Sequence, residues 1–411
     1  MRFRIYLGLR ISDLRLQTSD LRPQTLRHKR MKFIAKTLFG LEKVVAAELI
    51  ALGAEGVTVA NRAVFFRGEL PILYTVNYMS RTALSVLLEI ASFRIRSADD
   101  LYNGILKIGW DNYMSSDDTF SIVPVVNSDL FNHTGFAGLK AKDAIADFFR
   151  NKSGKRPSVS TSDPDVLINL HISHNDVTVS LDSSLIPLFK RGYREGMVAA
   201  PLNEVLAAGM LMLSGWNAGN DLTDPMCGSG TIAIEAGLMA CNVPPGRFRK
   251  AFGFEKWKSF DSRLFEVIKE RHDAKIKDSI PVRISCSDIS TDAVNSAIVN
   301  IKNAGLEEFI DPSVIDFKDL KPVSSGGTLF FNPPYGERIS QGETNEIYGM
   351  IGTTLKHNFE GFSAWIISSN RESLKYIGLK PSAKHILYNG ALECLFERFD
   401  MYGGSRKRKE S

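Results

Sequence analysis

From about residue 186 onward, short apolar strand signals alternate with helical ones, and this alternation constrains the fold more than any other feature of the 411-residue chain. Strands are expected at 221–223, 283–287, 313–315, 328–331 and 363–367, separated by helices over 202–213, 231–240, 291–304 and 345–357. A helix between two strands returns the chain to the same end of the sheet, so the strands must run mainly parallel. The last two strand signals, 385–388 and 392–401, flank Asn389-Gly390, which marks a tight antiparallel hairpin. The expected fold class is α/β: a doubly wound sheet with a C-terminal antiparallel hairpin.

Two α+β regions precede it. In 31–72, a strand at 33–35, a helix at 41–52 ending near Gly53, and strands at 57–59 and 63–66 suggest a β-α-β-β unit. In 73–185, helices are expected at 101–108 and 140–149, the latter with Ala141, Ala144, Ile145 and Phe148 on one face. Strands are expected there at 119–126, 165–172 and 177–181, the last two forming a hairpin. Lys140, Lys142, Arg150, Lys152, Lys155 and Arg156 crowd this region. They read either as a solvated face or as a patch following a phosphate backbone.

Residues 1–30 stand apart. They repeat seven residues, Ser12-Asp-Leu-Arg-Leu-Gln-Thr18 then Ser19-Asp-Leu-Arg-Pro-Gln-Thr25, and carry eight Lys/Arg against two Asp. A second methionine, Met31, opens the globular pattern. The segment reads as a disordered extension or a start assigned too early, with an RNA-gripping arm as the sharper alternative. The formal charge of the whole chain is +5, so the remainder sums to −1 and bulk charge says little about nucleic acid. A basic tail, 402–411, follows the last expected strand.

Composition excludes several classes. No apolar run approaches the roughly 18 residues needed to cross a bilayer. Cys227, Cys241, Cys286 and Cys394 are widely spaced, with no CxxC pair, so no metal site is expected. Free thiols in a reducing, cytoplasmic setting are the expectation. A monomer is favoured, and no membrane partner is expected.

Four motifs carry chemistry. Asp224-Pro-Met-Cys227-Gly228-Ser229-Gly230-Thr231 lies between a strand and a helix. Its glycines permit a sharp turn and close approach of a ligand, and the following helix offers free N–H groups. Position 233 is Ala, so the third glycine of the dinucleotide pattern is missing. Asp288 ends the next strand, where a carboxylate can accept from both hydroxyls of a ribose. It lies 58 residues past Gly230, so 241–280 must be an insertion. That insertion interleaves Arg247, Arg249, Lys250 and Lys256 with Trp257, which fits RNA contact or a structural role equally. Asp316-Phe317 follows another strand; the carboxylate could accept from an adenine amino group and the ring could pack on the base.

Asn332-Pro333-Pro334-Tyr335 is the most telling of the four. The prolines stop the preceding strand and leave the Asn oxygen and a backbone carbonyl pointing out at its carboxyl end. This pair can accept both hydrogens of an exocyclic amine, while Tyr335 stacks on the base. Such an amine is a poor nucleophile, because its lone pair is delocalised into the ring. Two acceptors favour the tetrahedral nitrogen that attacks a methyl group, and no dedicated base is required.

Together with Arg191-Gly-Tyr-Arg194 and Ala200-Pro-Leu202, these motifs resemble the THUMP-domain guanine-N2 RNA methyltransferases, in particular the RlmL-type enzymes of large-subunit rRNA. The parallel sheet with its closing hairpin likewise resembles the Rossmann-like class I methyltransferases. The resemblance covers about 31–401. It implies a ferredoxin-like segment (31–72), a THUMP RNA-binding domain (73–185) and an S-adenosylmethionine-dependent catalytic domain (186–401). It places Asp224, Cys227, Gly228, Ser229, Gly230 and Thr231 in the methionine-side cofactor loop, Asp288 on the ribose, Asp316 on the adenine, and Asn332 to Tyr335 on the target guanine. RNA, most of all 23S rRNA, is the implied partner, and the chain's length implies a single methylation. Guanine in tRNA, adenine N6 in DNA, and a non-catalytic RNA-binding assembly factor are the competing readings.

Overall fold

The computed structural model describes residues 30–131, 133–195, 202–334 and 340–402. The extension 1–29, Ala200, Pro201, Tyr335 and the tail from 403 onward lie outside these described residues.

The N-terminal part runs β1 (Met31–Lys36), α1 (Glu42–Ala51), β2 (Glu55–Ala60), β3 (Ala63–Gly68), α2 (Leu70–Met79), β4 (Ser85–Arg94), α3 (Ala98–Leu106), β5 (Thr119–Asn127), α4 (Thr134–Ser153), β6 (Ser158–Val159), β7 (Val166–Ser173) and β8 (Asp176–Asp182). The expected β-α-β-β unit and the β7–β8 hairpin are both present. The helix expected at 140–149 is twice that length, because the stretch from 134 adds turns that bury Ala137, and it stops at Gly154 in the left-handed conformation.

Two of the elements beyond the sequence expectation, α2 and β4, change the architecture. α2 begins with Pro71 in its first turn, where the missing N–H costs nothing. β4 pairs antiparallel with β1 on one side and β8 on the other. The two α+β regions therefore share one eight-stranded sheet, β2-β3-β1-β4-β8-β7-β5-β6. β4 gave no clear signal because a central strand buried along half its length lacks alternation.

The second part runs α5 (Glu204–Ser214), β9 (Leu222–Asp224), α6 (Thr231–Ala240), α7 (Ser262–Asp273), β10 (Ile284–Asp288), α8 (Thr291–Asn303), β11 (Ile310–Val314), β12 (Thr328–Phe331), α9 (Gln341–Asn358), β13 (Ser363–Ser368), α10 (Arg371–Leu374), β14 (Ala383–Asn389) and β15 (Leu392–Asp400). The sheet order is β11-β10-β9-β12-β13-β15-β14. The first five strands are parallel; β15 enters antiparallel between β13 and β14. β12 is buried on both faces, with Phe330 in one hydrophobic layer and Phe331 in the other. The chain leaves β9 toward β10 on one side and toward β12 on the other. That reversal opens a crevice at the carboxyl ends of the strands.

The 241–280 insertion is structural. Phe252, Phe254, Trp257, Phe265 and Ile268 join the core of the N-terminal sheet, and Tyr74 stacks on Phe254 at 4.5 Å. Arg249 donates to the carbonyls of Ser184, Ile186, Pro187 and Lys190, the segment linking the two sheets. Arg247 pairs with Asp273, and Lys256 with Asp165 at 3.2 Å. Arg249, Lys256 and the buried aromatics thus tie the insertion to the N-terminal sheet and the linking segment, whereas Arg247 pairs within the insertion and Lys250 is exposed. Burying each aromatic stabilises this junction by about 1.5–3 kcal/mol.

Candidate active site

Strand register brings the separate motifs to one crevice. Asp224 is the last residue of β9 and pairs with Cys286 of β10. Leu329 of β12 pairs with Thr223. Asp288 and Asn332 therefore both sit two residues beyond the level of Asp224, on either side of it.

The turn 226–230 connects β9 to α6. Gly228 (φ +53°) and Gly230 (φ +80°) adopt left-handed backbone, which L side chains rarely accept. A Cβ on Gly230 would also press on the Ala297 methyl at 3.1 Å. Five bonds fix this turn from outside. The Cys227 N–H donates to the Ser287 carbonyl at 2.9 Å. The Gly228 N–H donates to Asp288 Oδ2 at 3.0 Å. Asn300 Nδ2 donates to the Ser229 carbonyl at 3.1 Å. Arg194 donates to the hydroxyls of Ser229 and Thr231.

A buried, incompletely partnered carboxyl dominates the electrostatics of the site. Asp224 is 1% exposed and its Oδ1 has no hydrogen-bond partner. Burial, reinforced by the Asp288 carboxylate, pushes its carboxyl up to about 8, against the opposing N–H groups of Ala233 and Met226. Cys227 is buried beside Cys286. Its thiol hydrogen bond to that neighbour, together with burial, raises it far above the ordinary thiol range, so it is chemically quiet. Asn332 Oδ1 and Ser287 Oγ are likewise buried without a partner. Buried polar atoms normally find partners, so three orphans at the ends of β9, β10 and β12 mark a place where a ligand supplies them.

Asp288 accepts from the N–H groups of Gly228 and Ser290 and keeps further lone pairs for a ligand hydroxyl. Asp316 caps the short turn after β11. Burial raises its carboxyl, but the Lys318 ammonium at 2.9 Å and the Lys318 N–H outweigh this and leave it lowered. The expectation for Phe317 needs revising. Its ring is buried among Phe331 and Phe359, with centroids 4.9 and 5.5 Å away, so it supports the core instead of stacking on a base.

The basic cluster of the N-terminal sheet is largely neutralised. Lys140 pairs with Asp99, Lys142 with Asp143, Lys152 with Asp111 and Lys155 with Asp117. Lys140, Lys142 and Arg156 line one groove with Arg150 and Tyr102, whereas Lys152 and Lys155 lie outside it. Arg194 and Asn300 also hold the turn, with Glu204 behind Arg194, and of the three only Arg194 falls in a motif that the sequence marks. Helical positions such as Asn300 give no local signal, since only the packing of α8 on the turn brings that residue there. Among the described residues, no three His, Cys, Asp or Glu side chains converge on a metal position. No helix among them is long and apolar enough to cross a membrane.

Comparison with known proteins decides the family. Residues 191–398, half of the chain, match the family described as "RMKL-like, methyltransferase domain". The chain belongs to the RMKL-like methyltransferases. Residues 96–182 match the THUMP domain and 32–87 the RlmL ferredoxin-like domain. A Synechocystis sp. protein provisionally named as an RNA methyltransferase, slr0064, is 37% identical over 90% of this chain and 97% of its own. The ribosomal RNA large subunit methyltransferase K/L of Syntrophotalea carbinolica is 36% identical over 90% of this chain. The chain spans about half the length of that relative, 54%. The crystal structure of SMU.472 complexed with SAH superposes with a TM-score of 0.83 at 28% identity, covering 92% of this chain and all of the other. The cofactor is S-adenosylmethionine, and the free Oδ1 of Asp224, the glycine turn and Asp288 suit it.

Proposed function

We propose that this methyltransferase modifies the exocyclic amine of a base in RNA, guanine N2 in large-subunit (23S) rRNA, forming N2-methylguanosine. The observation that carries the reading is the unpartnered Asn332 Oδ1 at the end of β12, level with Asp288 across Asp224. An amide oxygen there accepts one amine hydrogen and turns the nitrogen lone pair toward the crevice. Bound S-adenosylmethionine supplies an electrophilic methyl group. Asp224 balances the donor's positive charge, and Asp288 and Asp316 receive its ribose and adenine. Pro333 and Pro334 keep the strand end from continuing, and Tyr335 is assigned the stacking role.

RNA as substrate is favoured by the THUMP match and by the names of the relatives at 36–37% identity. The groove bearing Lys140, Lys142 and Arg156 is the first candidate for phosphate contact, with Lys152 and Lys155 beside it. Exposed ion pairs such as theirs contribute about 0–1 kcal/mol, so phosphates can displace the aspartates. Mapping base modifications in rRNA and tRNA from cells with and without this protein tests the proposal. Loss of one N2-methylguanosine from 23S rRNA is expected. A lost tRNA or DNA mark, or unchanged modification, would overturn it.

A further inference from the structure

Arg194 belongs to a motif that the cofactor and substrate assignments leave unused. Its side chain is four-fifths buried, and its hydrogen bonds converge on the glycine turn and its surroundings. Nη1 donates to Ser229 Oγ at 2.8 Å and Nη2 to Thr231 Oγ1 at 2.9 Å. Nε donates to Glu204 Oε1 at 2.9 Å, and Nη2 also to the Leu202 carbonyl at 3.3 Å. Ser229 and Thr231 straddle Gly230, the residue preceding α6. One rigid planar group therefore spans the last bend of the turn and the first residue of the helix.

The turn needs such a tie. Glycines at 228 and 230 lose more backbone freedom on ordering than other residues do. A donor-binding turn must nevertheless be ordered before the ligand arrives, or its ordering weakens affinity. Asn300 performs the same service at the backbone of the turn, bridging the Ser229 carbonyl and the Glu195 N–H. Glu204 is nearly buried, and the positive charge of Arg194 opposes the upward push of burial on its carboxyl.

We infer that Arg194 is a positioning residue for the methyl donor: it holds the turn 228–230 in its receiving conformation without touching the donor. The inference rests on the assignment of S-adenosylmethionine to that turn. Lysine keeps the charge but cannot bridge two hydroxyls and a carboxylate in one plane.

The full chain carrying Arg194→Lys, with Ser229→Ala and the double variant beside it, is titrated with SAH by calorimetry. Arg194→Lys should weaken SAH roughly tenfold, the scale of one lost charge-assisted hydrogen bond. The double variant should bind no worse than Arg194→Lys alone, because both changes break one contact. In turnover assays on 23S rRNA from cells lacking the protein, KM for S-adenosylmethionine should rise. KM for RNA and kcat at saturating donor should stay within about threefold, a split that general destabilisation would not produce. Should Arg194→Lys fail to fold, Ser229→Ala and Thr231→Val carry the test, each expected to weaken SAH severalfold. SAH affinity equal in the parent and these variants, or losses that multiply in the double variant, would overturn the inference alone. A parent chain that binds no SAH would overturn the cofactor assignment with it.

Discussion

Replacing Asp224 with Asn should stabilise the ligand-free protein at alkaline pH while weakening its hold on the methyl donor. The folded carboxyl titrates near 8, against 3.8 for an unperturbed one. A raised folded value means the native state holds its proton longer than the unfolded chain. The associated stability is therefore full below about pH 4 and is lost as pH rises through 8. Each unit between these limits costs about 1.4 kcal/mol, which integrates to about 3.6 kcal/mol between pH 5 and pH 8. Dielectric relaxation makes this an upper bound. The Asn variant has no such slope; its extra buried N–H group adds a pH-independent cost of about 1–3 kcal/mol. Urea unfolding of both proteins from pH 5 to pH 8 should show the variant gaining on the parent throughout. Donor binding should also pull the parent's carboxyl down, because S-adenosylmethionine is cationic at sulfur. Calorimetry at pH 7 in buffers of different ionisation enthalpy should detect release of nearly one proton, absent in the variant. A stability difference independent of pH, or donor affinity unchanged by the substitution, would refute the reasoning.

Three further outcomes are expected. Asn332→Ala should lower kcat by about 10²–10³, the scale of losing one oriented hydrogen-bonding group, with SAH affinity by calorimetry unchanged; equal turnover would remove its role. Asp288→Ala should weaken SAH by at least tenfold, since the carboxylate both orders the Gly228 N–H and is assigned the ribose; unchanged calorimetric affinity would dismiss that assignment. Arg249→Ala should lower unfolding stability by about 2–4 kcal/mol, because four carbonyls lose a shared donor; a denaturation midpoint equal to the parent's would show that the clamp is idle.

Local patterning specifies most strands and helices of the catalytic half, though not α7 or α10. The strand–helix alternation, the helix 231–240, the strand 328–331 and the Asn389-Gly390 hairpin all follow from local periodicity and turn chemistry, which neighbours in the chain specify. The same holds for Asp224, Asp288 and Asn332 as strand-end residues. What those signals mean in space depends on contacts between distant segments. The β4 strand merges the two α+β regions into one sheet, and its sequence, which lacks alternation, does not announce it. Arg249, Trp257 and Phe317 carry charge or aromatic surface that suits RNA or a base equally well; packing partners far away in sequence assign them to the core and the junction. Arg194 and Asn300 act on the glycine turn only because the segment 191–195 and α8 pack against it. Local interactions are written between neighbouring residues, whereas burial and pairing depend on which distant surfaces meet.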